Sequence, residues 1–336
     1  MEMQKVTSAT GLGTRGLLLF VVLLVSGCSG VQSVLDPAAP DARLIARLSW
    51  WMFASGTFVL IVTLGMLLVA VNLQRGGDRI DVSFRTSAII VAIGGVAAPV
   101  IAIIAVGVSG VLIGDQAEGA EDVGLTVEVH GNRWWWEFRY LDEAGEVTAV
   151  TANELHLPVG ERAHLLLKSD DVIHSFWVPN LQGKTDLIPG VTNSLYTEPE
   201  VAGTWRAQCA EYCGIQHALM AALVVAEPRE AFDAWLAQQA APAVVTEHPG
   251  LDVFLDYECG ECHAIRGTAA DGQKGPDLTH LASRETLAAA TLPNTPGNLG
   301  GWITSTHKVK PGALMPPTAP EQQELFALIE YLGMLE

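Results

Sequence analysis

The chain contains the segment Cys209-Ala-Glu-Tyr-Cys213-Gly-Ile-Gln-His217-Ala-Leu-Met220, which places two thiols, an imidazole and a thioether within twelve residues. Thiolate, imidazole and weakly held thioether are the ligands of electron-transfer copper sites. A turn with two thiolates can bridge two copper ions, and such a site requires a second imidazole from another loop. His174, in the segment Asp171-Val-Ile-His-Ser-Phe-Trp177, is the candidate.

Two other chemistries are open to a pair of closely spaced cysteines. A disulfide between Cys209 and Cys213 would leave His217 and Met220 at these offsets unexplained. A structural zinc site uses thiolates and imidazoles and would not need the methionine. The segment therefore predicts a copper site.

The sequence around this segment has the pattern of short strands separated by turns. Alternating or β-branched runs occur at four places, and turn signals with Gly or Pro lie between them. This spacing is typical of an all-β sandwich. Pro228 then opens an amphipathic helix with Phe232, Trp235 and Leu236 on one face. The four predicted strands cover residues 125–130, 163–167, 204–209 and 220–225.

A second chemical motif, Cys259-Gly-Glu-Cys262-His263, lies near the end of the chain. This is the C-x-x-C-H pattern of covalent haem attachment, in which two thiols add to the porphyrin vinyl groups and the adjacent imidazole reaches the iron. Residues 238–246 lack periodicity and are predicted to be a linker. About ten residues span at most ~35 Å when extended, so the two modules must stay close together.

The first third of the chain is apolar. Residues 48–73 and 88–113 are long, uncharged stretches, and each is predicted to be a transmembrane helix. The loop between them, residues 74–87, carries Arg75, Arg79 and Arg85 and is therefore placed in the cytoplasm. The segment that follows the second span, and residues 28–47 before the first, are then expected on the outer side.

The chain begins with the pattern of a secretory signal. Basic residues precede a short apolar run, which ends in Val25-Ser-Gly-Cys28. A cysteine directly after small residues resembles the lipobox of bacterial lipoproteins. Residues 1–27 are therefore predicted to be a signal peptide, and Cys28 is the predicted site of acylation.

The charge lies in the outer part of the chain. The whole sequence of 336 residues has a formal net charge of −18, and hydrophobic residues make up 49% of it. Seven basic and seven acidic residues balance up to residue 120, whereas 12 basic residues face 30 acidic ones after it. A nucleic-acid-binding function needs a basic face and is excluded, and the apolar content excludes a disordered chain.

Three segments together resemble subunit II of haem–copper cytochrome c oxidases: Asp171–Trp177, Gly183-Lys-Thr-Asp-Leu-Ile-Pro-Gly190 and Cys209–Met220. The order of two spans followed by a β-domain is similar as well. The resemblance implies a cupredoxin-like Greek-key sandwich over residues 121–237 that binds the dinuclear copper centre CuA. In that centre Cys209 and Cys213 bridge both coppers. The implied remaining ligands are His174 and Met220 for one copper, and His217 with the backbone carbonyl of Glu211 for the other.

The same resemblance extends to two residues at the edge of the copper site. The Glu211 side chain is implied to contact a Mg²⁺ shared with subunit I. The stretch Arg133-Trp-Trp-Trp136 is similar to the family's aromatic segment, whose first tryptophan lies where electrons enter, so Trp134 is the candidate for that role. The family commonly has Gln in place of Arg133.

Residues 247–336 resemble a class I cytochrome c, an all-α fold. Met315, in Pro311-Gly-Ala-Leu-Met-Pro-Pro317, is similar to the methionine of its ligand loop and is the implied sixth ligand of the iron opposite His263. Gly275-Pro276-Asp-Leu is similar to the loop whose proline carbonyl accepts a hydrogen bond from the iron-ligating histidine. The residues from Glu321 to Leu335 match the closing helix.

These resemblances imply an electron-transfer subunit of cytochrome-c oxidase (EC 7.1.1.9) that lacks the oxygen-reduction site. Soluble or membrane cytochrome c, or another donor, reduces the covalent haem c. The electron then passes to CuA and to subunit I, where O₂ becomes water and protons are pumped. The expected partners are subunits I and III, a redox donor and membrane lipid, and the expected location is the bacterial inner membrane with both redox domains outside. The alternatives are the electron-input subunit of a nitric oxide reductase and, from another class, a membrane-bound copper chaperone or thiol sensor.

Overall fold

A computed structural model describes residues 29–75, 82–117 and 123–336 of the chain. The predicted signal peptide, the predicted acylation site Cys28 and the middle of the predicted cytoplasmic loop lie outside the described residues. The described chain has three parts in sequence order, which are a pair of apolar helices, a β-sandwich and a helical domain. This is the fold class predicted from the sequence.

Two helical segments are long and apolar enough to cross a membrane. The first, α1 (Pro40–Arg75), begins eight residues before the predicted span, because its first turns pack against the outer domain. In these turns Ala42 and Ala46 are buried. The second segment consists of α2 (Phe84–Ile90), a π-helical stretch (Val91–Ala97) and α3 (Ala98–Ala117), which follow one another without interruption. Both segments extend into the predicted 74–87 loop, which is correspondingly shorter.

The β-sandwich consists of two five-stranded sheets. Its strands alternate buried and half-buried residues, as in Arg162–Ser169, because one face of each sheet meets the other sheet. The first sheet has the order β3-β2-β1-β5-β8, and the second has the order β4-β10-β9-β6-β7. The strands are β1 (Val123–Asn132), β2 (Trp135–Leu141), β3 (Val147–Ala152), β4 (Glu154–Pro158), β5 (Arg162–Ser169), β6 (His174–Trp177), β7 (Thr185–Leu187), β8 (Asn193–Thr197), β9 (Gly203–Cys209) and β10 (Ala221–Glu227).

Large aromatic side chains fill the space between the sheets. Trp136, Phe138 and Phe176 are fully buried, and Phe176 contacts each of the other two rings edge to face, an arrangement favoured by the ring quadrupoles. Helix α4 (Arg229–Ala240) covers one end of this core with Phe232, as its apolar face predicts.

The residues that follow Cys28 are folded onto the sandwich. The buried Asn180 donates from Nδ2 to the carbonyls of Gly30 and Asp36, and its own carbonyl accepts from the Ala38 amide. The amide of Arg206 in β9 donates to the carbonyl of Val31. The segment between Cys28 and α1 is therefore part of the outer domain's structure.

The predicted linker of residues 238–246 makes more hydrogen bonds than its composition suggests. Its first three residues continue α4, which ends at Ala240. The guanidinium of Arg266 then donates to the carbonyls of Gln239 and Ala240, and the Ala243 amide donates to the carbonyl of Arg266. The connection is thus attached to the domain that follows it.

The last domain is a small helical unit. Helices α5 (Pro249–Asp256) and α7 (Gln322–Leu332) cross at Gly250, where a Cβ would lie 2.2 Å from the Ala327 carbonyl oxygen, so only glycine fits. Leu251, Phe254 and Tyr331 form the core beside this crossing. The elements are α5 (Pro249–Asp256), a 3₁₀ turn (Cys259–Glu261), a two-residue ladder of β11 (Thr286–Leu287) and β12 (Leu292–Pro293), α6 (Pro296–Val309) and α7 (Gln322–Leu332).

Candidate functional site

The ligand-bearing segment of residues 209–220 is the connection between β9 and β10. Cys209 is the last residue of β9, and Met220 directly precedes β10. The Cys209 amide donates to the Met220 carbonyl at 2.9 Å, which closes the loop. Because the two strands are antiparallel neighbours, the loop folds back and brings its ends together.

The sulfur and nitrogen atoms of the predicted copper ligands converge on a small volume. The Sγ atoms of Cys209 and Cys213 are 3.7 Å apart, well beyond the length of a disulfide. The Nδ1 atom of His174 lies 3.9 Å from Cys209 Sγ, and that of His217 lies 3.7 Å from Cys213 Sγ. The Met220 Sδ atom is 3.9 Å from Cys213 Sγ, and the Glu211 carbonyl oxygen is 3.2 Å from Cys209 Sγ.

Asp171 fixes the orientation of His174. Its Oδ1 atom accepts a hydrogen bond from His174 Nε2 at 2.8 Å, which leaves Nδ1 facing the sulfurs. The ring also needs space from the neighbouring sheet. A Cβ at Gly131 in β1 would lie 2.9 Å from the imidazole, so this glycine admits the histidine.

The electrostatics of the site favour an ionised Asp171 and a Cys209 thiolate, whereas the hydrogen bond to Cys209 and burial raise the pKa of Cys213. Burial raises the pKa of the Asp171 carboxyl. Hydrogen bonds from His174 and from the amides of Val172 and Arg133 outweigh this effect and lower the pKa to about 2. A hydrogen bond from the Cys213 thiol, together with His174, lowers the pKa of Cys209 despite burial. His174 and Met220 have no exposed surface, so water is excluded from this side of the site.

The haem-attachment motif lies at the end of α5. Cys259 begins a 3₁₀ turn that carries the chain through Cys262 to His263. His263 Nδ1 donates to the Pro276 carbonyl at 2.7 Å, as the resemblance implies, and its Nε2 is left for a metal. A Cβ at Gly275 would lie 2.7 Å from the same ring, so the backbone approaches the imidazole closely there.

Met315 is half-buried and packs against the core of the helical domain. Three other residues could compete with it as the sixth ligand. His280 is buried with both ring nitrogens facing backbone carbonyls, those of Glu336 and Ala241. His307 contacts the Ala313 carbonyl, and Met334 is exposed at the chain end. Two of the three thus have other partners and the third is exposed, and Met315 stays the predicted sixth ligand.

Family models match the two outer domains. Residues 141–227 match the model described as cytochrome c oxidase subunit II, periplasmic domain, and residues 248–336 match that of cytochrome c. Cytochrome c oxidase subunit 2 of Alkalihalophilus pseudofirmus is 31% identical over 336 residues, 95% of this chain and 96% of the relative. The chain belongs to the cytochrome c oxidase subunit 2 family.

Further similar proteins carry the same description. Cytochrome c oxidase subunit 2 of Bacillus sp. (strain PS3) is 32% identical over 227 residues, 63% of this chain and 62% of the relative. A crystal structure of the periplasmic domain of subunit II of cytochrome oxidase from Bradyrhizobium japonicum is 25% identical. It covers 36% of this chain and 96% of that chain, with a TM-score of 0.34. The relative from Alkalihalophilus pseudofirmus, which spans nearly the whole chain, confirms the sequence-based prediction of the oxidase subunit family.

In this subunit 2 chain, Trp134 contacts the copper loop. Its indole Nε1 donates to the Cys213 carbonyl at 2.9 Å, and its ring lies against Gly214, where a Cβ would be 2.9 Å away. The Glu211 side chain is 45% exposed and lies 3.6 Å from Lys184 Nζ. The carboxylate predicted to contact Mg²⁺ thus faces the surface beside a lysine.

Sequence reasoning missed the contacts between the two outer domains of this subunit 2 chain. Glu154 of β4 is buried, and its Oε1 atom accepts hydrogen bonds from the amides of Glu285 and Thr286 at 2.7 and 3.1 Å. Arg206 of β9 donates to the Ala290 carbonyl at 2.9 Å. A further contact comes from the buried Lys310. No motif marks these residues, although Lys310 directly precedes the Met315 loop that the sequence did single out.

Proposed function

We propose that this chain is the electron-input subunit of a haem–copper cytochrome c oxidase. It would accept electrons at a covalent haem c and deliver them through a dinuclear CuA centre to subunit I, where O₂ is reduced to water and protons are pumped. The observation that carries the proposal is the pair of buried thiols of Cys209 and Cys213, 3.7 Å apart, with two imidazoles and a thioether around them.

The residues of the copper loop fit a dinuclear centre. Cys209 and Cys213 would bridge both ions, because each thiol is within 4 Å of the other and of one imidazole. His174 and Met220 would complete one copper. His217 and the carbonyl of Glu211 would complete the other. Soft sulfur donors combined with imidazole select copper over the hard cations that prefer oxygen.

The helical domain fits a covalent haem c. Cys259 and Cys262 would form the thioether bonds, and His263 and Met315 would be the axial ligands of the iron. The Pro276 carbonyl fixes the His263 ring by its hydrogen bond at 2.7 Å. When bound, the copper pair and the haem supply one-electron transfer. The protein contributes ligands held in one orientation, so little has to move when the charge changes.

The proposed partners follow from the same assignment. Subunit I would receive the electron, subunit III would belong to the same complex, and Glu211 would share a Mg²⁺ with subunit I once Lys184 is displaced. Two apolar helices would hold the chain in the bacterial inner membrane with both redox domains outside. Acylation of Cys28 would add a lipid anchor. The donor would be soluble or membrane cytochrome c, or another redox protein.

Paired thiol variants test the two cofactor assignments separately. The complex containing Cys213→Ser should lose the copper absorption and electron-spin signal while keeping the covalent haem on this polypeptide. The complex containing Cys262→Ser should lose that haem link and keep the copper signal. Both should lose O₂ uptake with reduced cytochrome c, because the electron route is broken at one point or the other. Retention of both spectra in either variant would overturn the assignment.

The alternatives are separable in the same preparation. Turnover of NO without turnover of O₂ would indicate the nitric oxide reductase reading. Exchangeable copper without covalent haem would indicate a copper chaperone or thiol sensor. The family membership and the C-x-x-C-H motif support the oxidase.

A further inference from the structure

Lys310 is a lysine buried at the boundary between the two outer domains. It follows the last residue of α6 and is 4% exposed, whereas Lys308, two residues earlier on the same helix, is exposed. Its Nζ atom donates to the Trp134 carbonyl of the β-sandwich at 3.0 Å and to the Ala288 carbonyl of its own domain at 3.4 Å. Burying an ammonium costs free energy unless acceptors replace its water, and these two carbonyls do so.

The residues after Lys310 lie directly on the copper loop. The side-chain amide of Gln216 donates to the Pro311 carbonyl. Gly312 has a φ of +82°, a backbone conformation that L side chains rarely adopt, and it lies against the Ile215 side chain of the copper loop. This segment of residues 310–312 ends three residues before Met315, the proposed axial ligand of the haem iron.

Two hydrogen-bonded connections therefore link the Met315 segment to the copper loop. One runs from Lys310 Nζ to the Trp134 carbonyl, and from the Trp134 indole to the Cys213 carbonyl at 2.9 Å. The other runs from Pro311 to Gln216, the residue next to His217. Both connect a proposed haem-ligand segment to a proposed copper ligand or its neighbour in sequence.

We propose that Lys310 is a positioning residue for electron transfer within the chain, holding the Met315 segment against Trp134 and the copper loop. The inference rests on the proposed function and goes beyond it. In the step concerned, one electron leaves the ferrous haem, which becomes ferric, and the copper pair gains it. No proton moves and no bond breaks. The rate falls steeply with the separation of the centres, so a lost contact at this point slows the step.

The inference also assigns a role to the backbone of Trp134. In the described chain, its carbonyl is bonded to the fused cytochrome domain, and its indole is half-buried on the copper loop. The residue to which the family resemblance gives electron entry thus contacts this chain's own cytochrome domain through its backbone. An external donor would then reach the copper through the haem.

The test compares Lys310→Met with Lys308→Met in the complete oxidase. Both variants remove one positive charge from the same helix end, but only the first removes the contacts to Trp134 and Ala288. After rapid reduction of the haem, electron transfer from haem to copper should slow by about tenfold or more in K310M and stay at the wild-type rate in K308M. Reduction of the haem by an external donor should be unchanged in both.

A second readout does not depend on the cofactors' activity. Amide hydrogen exchange in residues 310–315 and 214–217 should speed up in K310M and not in K308M. If K310M fails to assemble, Gln216→Met loosens the same segment from the copper side and should show the same two effects. Wild-type electron-transfer and exchange rates in an assembled K310M or Q216M complex would overturn the inference. Absence of copper or covalent haem from the wild-type complex would instead overturn the proposed function.

Discussion

At the scale of single residues, the proposed copper site would depend on a carboxylate outside the proposed ligand set. Asp171 holds His174 through one 2.8 Å hydrogen bond, and amides from Val172 and Arg133 keep the carboxylate ionised. A ligand ring oriented in this way would present one nitrogen to the metal without having to lose rotamer freedom on binding. The free energy of metal binding therefore includes a contribution from a residue outside the ligand set.

Replacing Asp171 by Asn should weaken copper binding without abolishing it. The amide keeps the size of the side chain but loses the charge that fixes the His174 tautomer, so we expect a loss of about 10- to 100-fold in copper affinity. Competition with a copper chelator measures the affinity. Asp170→Asn, an exposed neighbour, is the matched control and should bind copper as the wild type does. Equal affinities of the two variants would contradict this role.

Glu154, at the boundary between the two outer domains, should make the free energy of unfolding depend on pH. Burial raises the pKa of its carboxyl to about 7 from an ordinary value of 4.5, although Arg284 and two backbone amides oppose the shift. The folded state therefore holds this proton more tightly than the unfolded chain does. The free energy of unfolding should consequently fall as the pH rises from about 4.5 through about 7.

Glu154→Gln should remove that dependence. Glutamine can still accept from the Glu285 and Thr286 amides, so at pH 5 the variant should unfold like the wild type. At pH 8 it should be more stable by roughly 1 to 3 kcal/mol, because no buried charge has to form. Thermal unfolding followed at both pH values measures the difference. Glu143→Gln in an exposed turn is the control, and a variant less stable than wild type at pH 8 would disprove the argument.

At the scale of elements, two helices of the cytochrome domain touch through a glycine. Gly250 lies in α5 where the backbone of α7 passes, and a Cβ there would lie 2.2 Å from the Ala327 carbonyl oxygen. The contact is between backbones, so a larger side chain could be accommodated only by separating the helices. That separation would open the core around Phe254 and Tyr331.

Gly250→Ala should therefore destabilise the cytochrome domain by about 3 kcal/mol, at the upper end of overpacking costs. Gly301→Ala in α6 is the matched control, because nothing lies within 4 Å of its Cβ position. There alanine favours the helix, and a gain of about 0.5 to 1 kcal/mol is expected. Denaturant unfolding followed by the haem absorbance compares the two. Similar stabilities of the two variants would show that separating the helices costs little free energy.

The elements also show which parts of the site sequence reasoning could reach. Spacing alone predicted the loop from Cys209 to Met220, because its ligands are local in sequence and the strands on either side fold it back. The Asp171–His174 pair lies within a quoted motif, yet only the structure shows that the carboxylate bonds the ring. Lys310 and Glu154 could not be predicted, since each acts only after two separate domains have packed together.

At the scale of the whole molecule, the net negative charge lies in the two outer domains. Seven basic residues face 18 acidic ones between residues 121 and 240, and five face 12 between residues 241 and 336. Surface charges of one sign attract a partner of the opposite sign over several ångströms and raise its rate of encounter. A basic electron donor fits this surface.

Oxidation of a basic donor should therefore slow several-fold as the ionic strength rises from about 0.01 M to 0.5 M, because salt screens the attraction. The second-order rate constant for reduction of the haem by such a donor is the measurement. An uncharged artificial reductant is the control and should show little change. Salt-insensitive rates with the basic donor would count against electrostatic steering.

The short connection between the two outer domains would change the kinetics of the proposed electron transfer. Residues 239–243 are bonded to Arg266, so the cytochrome domain cannot drift away from the copper domain. A tether of this length maintains an effective concentration on the order of millimolar or higher, whatever the amount of oxidase in the membrane. The proposed step from haem to copper would then be unimolecular and independent of dilution, and a low concentration of donor would limit only the reduction of the haem.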